Sequence, residues 1–191
     1  MKSRKIAGDA GAETRVVILD SGEEAFATLT KFANETGITA ASLTAIGAFE
    51  KATIGWFDFD KKTYKKIEVD KQCEVLSAIG DVAVGDDGKA SLHVHVVLGL
   101  SDCTTRGGHL MSGTVRPTLE VVLTDTPIHL RRKKRADIGI ALIDLDAASN
   151  ICRRDRPREE LSRFSERSRA IWLVSENGDG SHVRHQRRPY R

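Results

Sequence analysis

Residues Leu92 to Leu98 constrain this chain more than any other stretch. Leu92, Val94, Val96 and Leu98 alternate with His93, His95 and Val97. A period of two is the signature of a half-buried β-strand, whose successive side chains point to opposite faces. One face is therefore wholly aliphatic, and the other carries two imidazoles. A second aliphatic run, Thr118 to Thr124 (TLEVVLT), also reads as a strand. Between them lies the polar segment Ser101–Gly108, expected as a loop, followed by His109.

The remaining elements follow from similar patterns. Arg15–Leu19 reads as a strand broken by Asp20-Ser21-Gly22. Ala25, Phe26, Leu29 and Phe32 recur at helical spacing, so a helix is expected from Glu23 to about Thr36. Ser21 and Glu24 have the spacing of a capping box, and Gly37 suits the residue after the helix end. Strands are expected over 41–49, with Gly47 marking a bulge, and over 52–59, 64–69, 73–79, 91–98, 118–124 and 138–145. One early helix followed by many strands and short turns implies an α+β fold. Its sheet should be mostly antiparallel and barrel-like, with the helix packed on it. Residues 1–12 read as a flexible leader and 13–148 as the folded domain. Residues 149–191 read as a basic, poorly ordered C-terminal extension, with a short helix over about 158–173 docking through Leu161, Phe164 and Trp172.

The histidines carry the chemical signal. Two residues apart on a strand, His93 and His95 have Cα atoms roughly 6.6 Å apart on one face. Imidazoles at that separation can converge on one ion with Zn–N bonds of about 2.0–2.1 Å. His109 can supply a third nitrogen, because Gly107 and Gly108 before it let the backbone approach a neighbouring strand. Glu120, on the strand face opposite Leu119 and Val121, is a candidate for the same pocket. Three imidazoles without cysteine form an open divalent-metal site suited to zinc, with iron, nickel and copper also compatible. A zinc-bound water with Glu120 as proton acceptor would make a hydrolase. The same site could instead serve a small ligand. No metalloprotease, deaminase, nucleophile-elbow or nucleotide-binding signature accompanies the histidines, so no catalytic signature stands beyond the metal site itself.

Charge is unevenly distributed. Residues 151–191 carry eleven arginines against six acids, a net +5, which leaves −2 for residues 1–150 out of a total of +3. A nucleic-acid contact would therefore fall on this tail or on the run Arg131, Arg132, Lys133, Lys134 and Arg135, through phosphate neutralisation. The three cysteines show no paired spacing and read as reduced thiols. The charged N-terminus and the lack of a long apolar run point to a cytoplasmic protein without a membrane span.

Taken together, LHVHVVLG, GGHLMSGTV and TLEVVL resemble the PPC (plant and prokaryote conserved) domain. Gly22-Glu23, Ala45-Ile46-Gly47-Ala48 and Glu74-Val75-Leu76-Ser77 before Gly80 agree with it, over about residues 13–146. The resemblance implies a compact antiparallel α+β domain assembled as a homotrimer, with DNA as a partner in the bacterial and archaeal members. In members resembling metalloproteins, the H-x-H and Gly-Gly-His supply three imidazoles, which carry over to His93, His95 and His109. Plant members add an Arg-Gly-Arg-Pro hook and a Gly-Arg-Phe-Glu-Ile-Leu element. This chain has no such hook, and Lys71-Gln72-Cys73-Glu74-Val75-Leu76 keeps only the glutamate and the last leucine.

Overall fold

The structure, a computed structural model, describes residues 1–9, 12–126 and 128–147. The expected tail over 149–191, with its helix, lies outside the described residues. Nine strands and one helix run in the order β1 (Lys2–Asp9), β2 (Ala12–Asp20), α1 (Ala25–Thr36), β3 (Ala40–Asp58), β4 (Thr63–Val69), β5 (Cys73–Val84), β6 (Ala90–Gly99), β7 (Thr105–Asp125), β8 (Arg132–Lys134) and β9 (Ala141–Ile143) among those residues.

The first seven strands form one antiparallel sheet in the order β1-β2-β7-β6-β5-β3-β4. A further pairing of β7 with β3 bends this sheet back on itself. The result is a partial ring, in keeping with the barrel-like antiparallel sheet that the strand pattern suggests, and it does not close into a full barrel. Its inner face is filled by Phe49, Leu19, Leu43, Ile54, Leu98, Leu123 and their neighbours. Helix α1 buries Ala25, Leu29, Phe32 and Ala33 in the same cluster. Low aromatic content is thus met by aliphatic side chains, each worth ~1.5–3 kcal/mol when fully buried.

Several local expectations shift. Residues 2–9 are not a loose leader but strand β1, paired with β2 from Lys2↔Ile18 to Asp9↔Ala12. Ser21 does not cap the helix. Glu24 does, and its carboxylate accepts from the amides of Phe26 (3.2 Å) and Ala27 (2.6 Å). The same carboxylate accepts from the amide of Gly113 on β7 (2.9 Å), so a tertiary contact fixes where the helix starts. Gly37 does end the helix, at φ 70°. The two strands expected over 41–59 are one, with the register shift falling between Ala45 and Gly47. Strand β5 continues through Gly80-Asp81 as far as Val84. The loop expected up to Gly108 ends at Thr105, because Gly107 and Gly108 pair with Val97 and Val96. At the other end, only Ala141–Ile143 of the expected last strand is extended, and it pairs with β8.

Candidate metal centre

The site is built on the outer face of the sheet. Strand β6 sends Leu92, Val94, Val96 and Leu98 into the core, so His93 and His95 stand on the opposite side. His95 is the direct cross-strand partner of His109 on β7. The three rings gather with centroids 5.0 Å (His93–His95), 5.1 Å (His93–His109) and 5.6 Å (His95–His109) apart. Nε2 of His93 lies 3.2 Å from Nε2 of His95. Two nitrogens bound to one tetrahedral zinc at ~2.0–2.1 Å are themselves about 3.3–3.4 Å apart. The candidate ligand atoms of all three residues lie within 4.8 Å of one another. Ring movements on the order of an ångström would close the set.

Electrostatics favour the same reading. Burial pushes His109 down to about 4, helped by the neighbouring His93 and His95 and by Arg132. His93 is also lowered, first by burial, then by Arg132, with Asp81 opposing and His95 adding to the fall. Both rings are therefore neutral at pH 7, the state that offers a lone pair to a cation. Nδ1 of His109 is buried without a hydrogen-bond partner among the described residues. An orphaned buried nitrogen costs ~1–3 kcal/mol, and a bound ion at the cluster is a natural partner for it. The donor set fits a divalent metal.

The surrounding residues were not legible as site residues. Asp81 is the cross-strand partner of His93, and its Oδ2 stands 4.0 Å from His93 Nδ1, an ion-pair distance rather than a hydrogen bond. A carboxylate behind a ligating imidazole is the usual outer partner in metal sites. Asp81 is itself held by Arg132, which also donates to the carbonyl of Ser91 (3.0 Å). Tyr64 on β4 stacks on His109 with centroids 4.8 Å apart. Asp81 falls just past the strand expected over 73–79, and Tyr64 opens the one expected over 64–69. Neither carried a local signal.

Two expectations are corrected. Glu120 does not share the pocket. It lies eleven residues along β7 from His109, exposed and paired with Ile18 and Ile46. Facing outward was necessary but not sufficient, because the strand is long. Arg132 is not a surface cation for phosphate. It is 5% exposed, the one buried polar or charged side chain found among the described residues. Within the same run, Arg135 is chelated by Asp137, while Lys133 and Lys134 are exposed. Gly107 and Gly108 lie in β7 itself, and a Cβ on Gly108 would stand 2.7 Å from the carbonyl oxygen of Gly55. Cys73 is buried and Cys103 exposed, each a free thiol.

A model of the Plants and Prokaryotes Conserved (PCC) domain matches residues 8–127. The chain belongs to this family. A PPC protein from Pyrococcus horikoshii is 31% identical, with a TM-score of 0.66 over 73% of this chain and 96% of that one. A protein from Archaeoglobus fulgidus described as metal-containing is 32% identical, with a TM-score of 0.65 over 74% of this chain and 99% of that one. A proposed DNA-binding protein from Bacteroides thetaiotaomicron is 26% identical, with a TM-score of 0.70 over 76% and 97%. No curated protein matches the chain. The PPC match ends before β8, so Arg132 reaches the histidine cluster from outside the matched segment. No helix among the described residues is long and apolar enough to cross a membrane.

Proposed function

We propose that this PPC protein holds one divalent metal ion, zinc, through His93, His95 and His109, in a homotrimer with a regulatory role. The observation that carries the reading is the convergence of three imidazoles, with two Nε2 atoms 3.2 Å apart. The metal-containing description of the Archaeoglobus fulgidus relative supports it. Three protein ligands leave a fourth position for water or a small ligand. Hydrolysis is the weaker use of that position. Glu120 is remote, and the carboxylate beside the cluster, Asp81, is engaged by Arg132.

Assembly draws support from the same sheet face. Ile46, Leu76, Ile79 and Val97 are 59%, 54%, 59% and 42% exposed, and Ile79 is the cross-strand partner of His95. Apolar side chains gathered beside a functional cluster mark a face that another protein surface covers. A second copy of this chain is the partner that the family resemblance implies.

DNA as a partner is the second reading. It rests on relatives from Bacteroides thetaiotaomicron and Ralstonia eutropha that are proposed DNA-binding proteins, and on the eleven arginines of residues 151–191. Electrostatic binding of this kind falls steeply with salt. A binding constant for duplex DNA that stays flat between low and moderate salt would remove it.

Elemental analysis of purified protein tests the main reading. About one zinc per chain is expected in the native protein and little in His109→Ala, with light scattering reporting the trimer. Equal metal content in both proteins would refute the assignment.

A further inference from the structure

The hairpin formed by β3 and β4 reaches the histidine cluster through a gap left by one missing side chain. Gly55 is the cross-strand partner of His109 on one side and of Lys66 on the other. A Cβ placed on Gly55 would stand 2.8 Å from a ring carbon of Tyr64 and 3.2 Å from the sulfur of Met111. The Tyr64 ring therefore occupies the space over Gly55. From there it stacks on His109 at 4.8 Å with an interplanar angle of 27°. Tyr64 does not stand alone. Phe57 contacts it edge-on at 5.1 Å, and Phe59 contacts Phe57 edge-on at 5.4 Å. A line of aromatic rings runs from the hairpin tip, where Phe59 is 74% exposed, to the third imidazole.

We propose that Tyr64, seated over Gly55, is a positioning residue that fixes the ring of His109 toward His93 and His95. This inference rests on the metal-site reading for its functional meaning. The physical reason is orientation. His93 and His95 are adjacent on one strand and meet by backbone geometry alone. His109 comes from another strand, and no hydrogen bond from its ring to another described residue sets the ring angle. Ligating imidazoles are usually held by a hydrogen bond at the second nitrogen. Here a stacked ring supplies that restraint, by contact over the imidazole face rather than by a hydrogen bond. Stacked aromatic pairs contribute ~0.5–1.5 kcal/mol beyond area burial.

The test uses the full chain stripped of metal and titrated with cobalt(II), whose visible absorption reports the ligand geometry. Tyr64→Phe keeps the stack and is expected to bind within about twofold of wild type. Tyr64→Ala is expected to bind on the order of tenfold more weakly, with an altered absorption band. Gly55→Ala leaves Tyr64 in the chain but displaces its ring, and should reproduce the Tyr64→Ala result. His109→Ala, which should lose cobalt, tests the metal reading separately. Proton NMR of the metal-free proteins supplies a second measurement that does not depend on any ion. The ring-current shift of the His109 carbon-bound protons should persist in Tyr64→Phe and collapse in Tyr64→Ala and Gly55→Ala. Tyr64→Ala protein with wild-type cobalt affinity and spectrum, or with an unchanged His109 ring shift, would overturn the proposal.

Discussion

Replacing Arg132 with alanine separates a buried structural cation from a surface one. The guanidinium is 5% exposed, pairs with Asp81 and donates to the carbonyl and hydroxyl oxygens of Ser91 at 3.0 and 3.3 Å. Breaking a fully buried ion pair by removing one partner costs ~3–5 kcal/mol. The Asp81 side chain retains 29% exposure, so water relieves part of that cost and about 2–3 kcal/mol remains. The lost bonds to Ser91 add on the order of 1 kcal/mol. Arg132→Ala should therefore lose about 3–4 kcal/mol in urea unfolding of the metal-free protein. Lys133→Ala, next door and exposed, should stay within ~0.5 kcal/mol of wild type. The double variant Arg132→Ala/Asp81→Asn should be less destabilised than the sum of its parts, with a coupling of ~2 kcal/mol. If Arg132→Ala matched Lys133→Ala, or the two changes were additive, the buried pair would carry no weight. The basic run would then be a solvated surface after all.

The pH dependence of the metal-free protein has a defined sign. Folded His109 titrates near 4, and the ordinary value is 6.5. Between those pH values the unfolded chain holds a proton that the folded chain lacks, so stability falls as pH drops through this window and levels off below it. Partial solvent screening holds the loss to roughly 1–2 kcal/mol, and His93 contributes in the same direction. Urea midpoints between pH 7 and 4 should show a shallower fall in His109→Gln, and equal slopes would contradict the shift. Glu24→Ala removes the helix cap and the bond to the Gly113 amide, and should cost about 1–2 kcal/mol by thermal unfolding. Gly108→Ala forces a Cβ to within 2.7 Å of the Gly55 carbonyl oxygen. Strand β7 must then move away from β3, and cobalt affinity should fall on the order of tenfold, because His109 is the next residue. Unchanged affinity would mean that this close approach does not position the ligand.

How much of the site could be read in advance follows from the distances involved along the chain. His93 and His95 were readable because strand alternation is a local rule and both residues lie on one strand. His109 was readable from its glycine pair and from the family resemblance, although the segment before it proved to be strand rather than loop. Asp81 and Tyr64 were not readable. Asp81 faces His93 only through the β5–β6 register, and Tyr64 reaches His109 only across Gly55. Glu120 shows the converse failure. Its face was inferred correctly, but its place along a strand of 21 residues put it with Ile18 and Ile46.

The leader and the basic run failed for a related reason. Residues 2–9 carry no apolar alternation, because β1 pairs with β2 by backbone hydrogen bonds and its described side chains are exposed. The stretch Arg131–Arg135 looks uniform in composition, yet its neighbours differ, from an aspartate under the site to open solvent.

The amino-acid order alone determined the central strands and the one early helix, which face of β6 is apolar, and that two imidazoles stand side by side. These depend on interactions between residues a few positions apart, and the backbone geometry enforces them anywhere. The tertiary structure alone decided that β7 bends back along β3, that a third imidazole joins the first two, and that a carboxylate, a buried guanidinium and a tyrosine ring surround them. Those outcomes depend on strand register, which is settled by packing of the whole core.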